Sequence, residues 1–343
     1  MNNIYNTSNV KQMNLEIIRT AIKTMPGNTK ALITSATGLS HATCNTLLNE
    51  LVATGEVLEL DKDLNSGGRP AQRYQYNAEF SNVISLYIDN DNNKPVIRYA
   101  VFNLIGIILE ENQINKETVD YEIIEDVIGT LLQRHSAVKA IGIGIPGVVL
   151  KERFINSCDV ETLTNCPLAE KLENRFGVNV VLENDMNASA IGYYGEQDYK
   201  EEASMAIVTF IKDNLPGSGI IVDGHILRGN TNFAGEIGFL PYGVSQAKQK
   251  ELLSDSNTAF PFVIKSLCSL IAIINPETII LTGSLLAESM LEEINKCCEE
   301  CIPKEHMPHI VFKKSIHNYY LKGLMIMSIK SLSFQLKIVE KKF

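Results

Sequence analysis

The sequence contains no apolar run approaching the roughly 18 to 20 residues that a membrane-spanning helix needs. Its first residues, MNNIYNTSNVKQMN, lack the apolar core of a signal peptide. Both absences favour a cytoplasmic protein with no membrane partner. The 343 residues, 45% hydrophobic and 21% charged, have a globular composition and are enough for two or three compact units.

A disulfide framework is also lacking, because the seven cysteines are odd in number and spread through the chain. One cluster resembles a zinc ligand pattern, since Cys298 and Cys301 are followed by His306 and His309. Only four residues separate the two pairs, where known zinc fingers have about twelve or more. We expect reduced thiols and ordinary histidines at a helix end, with zinc as the alternative.

An excess of basic residues is missing too, because the formal net charge is −9, which argues against a protein that coats nucleic acid. Residues 1–80 carry seven basic and seven acidic side chains, so the whole acidic excess lies in residues 81–343. This difference in electrostatics predicts two domains, residues 1–80 and residues 81–343, with different tasks.

Three short helices are predicted near the N-terminus. Apolar spacing indicates a helix from Val10 to Met25, "TKALITSATG" a second that ends at Gly38, and "LSHATCNTLLNELVATG" a third with Ser40 as its N-cap. The first is predicted to bury Met13, Leu15, Ile17, Ile18, Ala21 and Ile22. The third is predicted to bury Leu39, Cys44, Leu47, Leu48 and Leu51.

Two helices joined at a glycine are typical of the helix-turn-helix, whose second helix enters the DNA major groove. "EVLELD" and "RYQYN" predict a two-stranded wing with the tip "SGGRPA", so the unit is predicted to be a winged helix-turn-helix. Predicted DNA contacts are His41, Ala42, Thr43, Asn45, Thr46 and Arg69. We expect His41 and Asn45 at base edges and Arg69 at phosphates or a narrow minor groove; the alternative is plain solvent exposure.

The remainder alternates strand-like and helix-like runs. "VISLYID", "VIRYAVFNLIG" and "IILEENQI" predict strands, followed by a helix at about 118–135 and the strand "AVKAIGIGIPGVV". Later runs repeat the alternation, with "PFVIKSLCSLIAIIN" and "NYYLKGLMIMSIKSLSF" as helices. This pattern predicts an α/β domain of two lobes.

Four motifs in this order resemble the ROK family of repressors, open reading frames and sugar kinases: "GIGIPGVV", "LENDMNASAIG", "VDGHILRGNTNFAGEIGFLPYG" and "INPETIILTGSLL". They follow a winged helix with "GGRPA" at its wing. The resemblance implies an actin-like, ribonuclease H-like domain that binds a sugar between two lobes. The implied ligand-binding residues are Gly147, Asn184, Asp185 and Glu236, with Asp185 as general base in the kinases of the family.

The chain departs from the kinase pattern in three places, one of which is a shortened large lobe with only 32 residues between Gly243 and Pro276. Kinases of the family have a glycine-rich "D-x-G-G-T" turn that binds the ATP phosphates. This chain has "IDNDNNKPVIRYAVF" at that place. The segment keeps Asp89 but adds side chains, negative charge and Pro95. The family's zinc-binding His position is occupied by Phe239, and the cysteine segment is absent. We expect no catalytic residues, metal or cofactor, and "GSG" at 217–219 is a phosphate-loop remnant or a plain hairpin pair.

These features predict a sugar-responsive transcriptional regulator, a repressor, with operator DNA and a sugar effector as partners. A homodimer or homotetramer is expected because paired half-sites need two DNA-binding units. The alternatives are a sugar kinase with a DNA-binding appendage and a regulator with an eroded cleft that responds to a protein partner.

The wing contact predicts a salt-dependent effect of Arg69→Ala. Loss of one phosphate contact should weaken operator binding and make its dependence on salt concentration shallower, because fewer counterions are released. Titrating operator DNA at several salt concentrations measures the slope. An unchanged slope would contradict the contact.

Overall fold

The computed structural model describes residues 7–63, 70–91, 94–150, 153–197 and 203–332. The N-terminal unit contains three helices and a three-stranded sheet of order β1-β3-β2. Its elements are α1 (Thr7–Thr24), β1 (Asn28–Thr29), α2 (Lys30–Thr37), α3 (His41–Ala53), β2 (Val57–Asp63) and β3 (Ala71–Tyr76). This is the order of elements predicted for a winged helix-turn-helix, with β1 as a short strand that the sequence did not indicate.

Local chemistry sets the helix ends in this unit. Thr29 caps α2 by accepting a hydrogen bond from the Leu32 amide. Gly38 ends α2 in the left-handed region, at φ 66°, where a residue without a Cβ has no steric cost. Ser40 caps α3 through the Thr43 amide, as predicted.

Burial in the N-terminal helices agrees with the predicted pattern except at a few positions. Met13 was predicted to be buried, but 47% of it is exposed because α1 turns that position to solvent. Ile17 and Leu39 are only partly buried, and Thr43, a predicted DNA contact, is half-buried. The other predicted DNA contacts of α3 are exposed, as is Asn49: His41, Ala42, Asn45 and Thr46. Arg69 lies outside the described residues.

The first lobe is built on a five-stranded mixed sheet of order β10-β7-β4-β5-β6. Its strands are β4 (Asn82–Asp91), β5 (Lys94–Asn103), β6 (Ile108–Asn115), β7 (Val138–Ile145) and β10 (Asn179–Asn184). Between them lie α4 (Tyr121–Arg134), the hairpin β8 (Gly147–Val149) and β9 (Ile155–Cys158), and α5 (Leu168–Phe176). The predicted strands and α4 are confirmed, whereas the sequence did not indicate β9 or α5.

The second lobe is a second five-stranded sheet, of order β13-β12-β11-β14-β15. Its strands are β11 (Met205–Thr209), β12 (Gly217–Val222), β13 (His225–Ile226), β14 (Thr278–Thr282) and β15 (His309–Phe312). The helices are α7 (Gln246–Leu252), α8 (Ser256–Ile274) and α9 (Leu291–Glu299). The two sheets confirm the prediction of a two-lobed α/β architecture.

Helix α8 corrects one expectation from the sequence. Its 19 residues are long and apolar enough to cross a membrane by length and composition alone, although no such run was expected. In the structure α8 contributes Phe262, Val263 and Leu267 to the core of the second lobe. The Ser266 hydroxyl also lies 2.6 Å from the Tyr242 hydroxyl, in a buried contact within that lobe.

Two helices join the lobes, α6 (Asp185–Tyr194) and α10 (His317–Leu332). They cross with their backbones in contact, because a Cβ at Gly323 would lie 1.8 Å from the Ala188 carbonyl oxygen. On the other side of α6, a Cβ at Gly219 of β12 would lie 2.0 Å from the Met186 carbonyl oxygen. Glycine is therefore required on both sides of α6.

One buried cluster contains side chains from both predicted domains. Ile18 and Tyr76 of the N-terminal unit belong to the same cluster as Phe102 of β5 and Leu321 of α10. The N-terminal unit is thus continuous with the core of the first lobe, and the domain boundary at residues 80 and 81 stays a prediction.

We predict that Gly323→Ala destabilises the fold by about 3 kcal/mol, because the added methyl group must push α6 and α10 apart. Gly129→Ala is a matched control in the middle of α4, where the new Cβ meets the Phe176 ring at an ordinary 3.6 Å. That variant should be neutral or gain up to about 1 kcal/mol from helix propensity. Thermal unfolding followed by circular dichroism measures both, and equal shifts would contradict the close crossing.

Candidate functional site

Asn184 connects the end of β10, the start of α6 and the β8 hairpin. Its side-chain oxygen accepts hydrogen bonds from the amides of Met186 and Asn187, at 2.9 and 3.1 Å. Its side-chain nitrogen donates to the Gly147 carbonyl oxygen at 2.8 Å. The structure therefore brings two predicted ligand residues, Asn184 and Gly147, into direct contact. Most of the hydrogen-bonding capacity of Asn184 is used to cap α6 and hold β8.

The buried Glu183 fixes this arrangement through four hydrogen bonds, a role that was not predicted from the sequence. Its carboxylate is 5% exposed and accepts hydrogen bonds from Arg228 at 2.5 and 3.2 Å. It also accepts from the Asn187 side chain at 3.0 Å and from the Asn184 amide at 3.1 Å. A buried carboxylate with this many donors is a structural residue, because leaving it unpaired would be costly.

Asp185 is the first residue of α6, and its carboxyl group has an altered pKa. Burial, more than any other cause, raises the pKa of Asp185 to about 7, and the negative charges of Asp159 and Glu236 act in the same direction. The Met186 amide opposes the shift by donating to the carboxylate. Burial also raises the pKa of Asp159 and of Glu236, whose pKa is raised further by Asp159. Three carboxyl groups thus share one partly dehydrated region.

Asp159 was not predicted from the sequence. It follows β9, and its amide donates to the Pro146 carbonyl oxygen at 3.0 Å, beside the strand that carries Gly147. Its only signal in the sequence is an acidic residue after the short segment "FINSC", which is too common a pattern to identify a site. Pairing of β8 with β9 brings it to the cleft.

Glu236 enters from the second lobe after an unusual glycine. Gly235 has φ 97°, and a Cβ there would lie 2.2 Å from the Ser218 carbonyl oxygen. The Gly235 carbonyl oxygen accepts hydrogen bonds from the Ser218 amide and hydroxyl, at 2.8 and 2.9 Å. Asn232, in the same segment, donates to the Val149 carbonyl oxygen of β8 at 2.8 Å. Segments of both lobes therefore converge on β8.

A buried hydroxyl group lies near these carboxylates. Tyr320 of α10 is 5% exposed, and its hydroxyl has no hydrogen-bond partner within the described part of the chain. Burial and then the charge of Asp185 raise the pKa of Tyr320 well above its usual value. Its ring stacks on Tyr87 with centroids 4.0 Å apart. The Tyr87 hydroxyl lies 2.5 Å from His317 Nδ1. An unpartnered buried hydroxyl needs a water or ligand group nearby.

The segment expected from the sequence to replace the kinase phosphate loop belongs to a paired hairpin. Strands β4 and β5 remain paired as far as Asp91 and Lys94, and Pro95 lies opposite Asn90. Asp89 forms an ion pair with Arg98 at 3.3 Å. The glycines of "GSG" belong to strand β12, where Gly219 makes room for α6. The close contact with α6 explains why position 219 is a glycine, and no role in phosphate binding is needed to explain it.

The predicted DNA-contacting residues of α3 lie together, with His41, Ala42, Asn45 and Thr46 exposed and Thr43 half-buried. Lys30 of α2 donates a hydrogen bond to the Asn45 side-chain oxygen at 2.5 Å and approaches Asn49 at 3.3 Å. One cation therefore orients two amides on that surface. Neither the base contacts of His41 and Asn45 nor the ligand roles of Gly147, Asn184, Asp185 and Glu236 are tested by these contacts, and they stay predictions.

Among residues 7–63, 70–91, 94–150, 153–197 and 203–332, no group of three or more His, Cys, Asp or Glu side chains is placed to hold a metal ion. The cysteines in these ranges are free thiols. Cys268 of α8 lies against Cys298 and Cys301, and burial raises the pKa of Cys298 to about 12.

Comparison with known proteins finds a family that part of this chain resembles. The family model described as "ROK family" matches residues 94–259, which contain most of the cleft. This part of the chain is similar to the ROK family. The two-lobed actin-like fold implied by the ROK motifs is confirmed by a solved structure, a ROK family transcriptional regulator that is a homolog of the E. coli MLC protein. That ROK structure covers 94% of this chain and 100% of its own, with TM-score 0.69 and 18% identity.

Curated relatives of this chain include both regulators and enzymes. The xylose repressor of Caldicellulosiruptor bescii is 26% identical over 67% of this chain and 58% of its own length. The N-acetyl-D-glucosamine kinase of Vibrio parahaemolyticus is 27% identical over 45% of this chain and 52% of its own length. The matched region thus spans a little over half the length of these relatives.

The raised pKa of Asp185 predicts a stabilising substitution. Between about pH 4 and 7 the folded protein keeps a proton that the unfolded chain has released, so the free energy of unfolding falls as pH rises. Asp185→Asn removes the buried charge and should stabilise the protein by about 1 to 2 kcal/mol at pH 8 and by less at pH 5. Chemical denaturation at both pH values measures this. Asp126→Asn, an exposed position on α4, is the control, and the same gain there would contradict the explanation.

Proposed function

We propose that this protein is a cytoplasmic transcriptional repressor whose binding to operator DNA is controlled by a sugar. One observation carries the proposal: an exposed helix-turn-helix surface and a carboxylate-lined cleft occur in one chain, joined by a continuous buried cluster. The regulator-type structure and the xylose repressor similarity support the same function.

The cleft has the chemistry of a receptor for a polyhydroxy ligand. Carboxylates accept paired hydrogen bonds from neighbouring hydroxyl groups, and Asp159, Asp185 and Glu236 supply three of them. Asn184 retains a donor hydrogen after its bond to Gly147. The unpartnered Tyr320 hydroxyl is a further group that a ligand or a bound water can satisfy. A sugar replaces the water that otherwise hydrates these groups.

Sugar phosphorylation is the second candidate, favoured by the kinase relatives. Asp185 could accept a proton from a sugar hydroxyl, because its pKa of about 7 suits a general base. Phosphoryl transfer also needs a positioned donor, however. Paired strands up to Asp91 and Lys94, and the ion pair between Asp89 and Arg98, leave this hairpin poorly suited to an ATP triphosphate. These contacts favour a role for Asp185 in holding the sugar.

DNA recognition would use the exposed side of α3. His41 and Asn45 are placed for base edges, with Ala42, Thr43 and Thr46 beside them, and Lys30 holds Asn45 in the absence of DNA. Two such units in a homodimer or homotetramer would read paired half-sites about one DNA turn apart. Sugar binding between the lobes would favour one lobe arrangement and so change operator affinity.

The decisive experiment selects operator DNA from a random pool and measures its affinity with and without sugars, beginning with xylose. We expect a sugar-dependent change of at least tenfold in the wild type. Glu236→Gln should keep the affinity for DNA but weaken sugar binding about 10- to 100-fold, because one charged hydrogen bond is lost. Glu251→Gln, on the exposed end of α7, is the control and should behave as the wild type.

Thermal unfolding gives an independent measurement. A sugar at 100 times its dissociation constant should add about 2.7 kcal/mol to the wild type and clearly less to Glu236→Gln at the same concentration. Sugar-dependent ATP hydrolysis would favour the kinase. A panel of monosaccharides and sugar phosphates that changes neither DNA binding nor stability would contradict control by a sugar.

A further inference from the structure

A second cavity lies where the two lobes meet, toward the end of α6 that is farthest from Asp185. Its volume is about 590 Å3, within the range of sites that hold small molecules. Helices α6 and α10 and strand β10 form one side of it, and the β12 and β13 hairpin forms the other. An occupant of this cavity would therefore contact both lobes.

The cavity wall is largely apolar. Its aliphatic side chains are Val181, Ile191, Ile221, Ile226, Ile326 and Met327. Apolar surface in contact with water costs about 25 cal/mol for each Å2, so an occupant with an apolar body would gain free energy by covering it. A purely polar molecule such as a free sugar would leave this surface without a matching partner.

The two charged side chains of the wall, Arg228 and Lys330, are both basic. No acidic residue lines the cavity within the described part of the chain. The excess of basic groups is notable because the formal net charge of the chain is −9. Arg228 forms an ion pair with Glu183, whereas Lys330 is exposed on the last turn of α10. An acidic group in the cavity would meet favourable charge and donor hydrogens.

We propose that this cavity binds a small amphipathic anion, a carboxylate, sulfonate or phosphate ester with an apolar body. The acidic group binds Lys330 and the exposed side of Arg228. The apolar body lies against Ile326 and Met327 of α10. Arg228 also binds Glu183, and Glu183 contacts Asn184, the residue that caps α6. An occupant bound to Arg228 is therefore connected to the cap of α6 through Arg228 and Glu183.

The test uses two fluorescent probes with similar aromatic bodies and different charge, 1-anilinonaphthalene-8-sulfonate and the uncharged N-phenyl-1-naphthylamine, titrated against the full chain. The sulfonate should bind at one saturable site. Lys330→Gln should lower its affinity about tenfold and change binding of the uncharged probe less than about twofold. Lys322→Gln, on the same helix outside the cavity and paired with Glu196, is the control and should change neither.

A second variant tests the apolar wall. Met327→Trp fills part of the cavity and should reduce binding of both probes, with thermal unfolding confirming that the variant is folded. Equal effects of Lys330→Gln and Lys322→Gln on the sulfonate would overturn the proposal. So would undiminished binding of both probes to folded Met327→Trp, because the probes would then be bound elsewhere.

Discussion

Helix α6 is held between two backbones, and the positions of the cleft residues depend on this contact. Gly323 of α10 lies against Ala188 on one side, and Gly219 of β12 lies against Met186 on the other. No side chain fits at either glycine, so α6 cannot shift toward either lobe without disrupting the packing. Asp185 begins this helix, and its carboxyl group is therefore fixed relative to both lobes.

Hydrogen bonds between polar groups then orient the cleft residues that the packing of α6 has positioned. Asn184 caps α6 and binds Gly147, while Glu183 binds Arg228 from the second lobe. Glu183 and Asn184 thus hold neighbouring elements together, and Asp185, the next residue, faces the cleft. Its pKa of about 7 reflects burial beside other carboxylates, a condition that suits both proton transfer and hydrogen bonding to hydroxyl groups. Which of these roles Asp185 performs depends on whether the hairpin at Asp89 can hold a phosphoryl donor.

The sequence predicted most elements of the fold because their signals are local. Gly38 and Ser40 define the ends of α2 and α3, and the apolar strands of both lobes are continuous runs. The site was predicted only in part. Asp159 and the pairing of Glu183 with Arg228 depend on contacts between distant segments, which no local pattern encodes. The exposure of Met13 was likewise missed, since helical periodicity does not specify the width of the buried stripe.

The last described helix completes the first lobe and the surface against which the N-terminal unit packs. Tyr320, Leu321 and Leu324 of α10 belong to the same buried cluster as Ile18 of α1. A ribosome must therefore synthesise α10 before the first lobe and the N-terminal helices can complete their shared core. Chains that terminate before α10 would expose that unfinished surface, which makes them targets for chaperones and proteases.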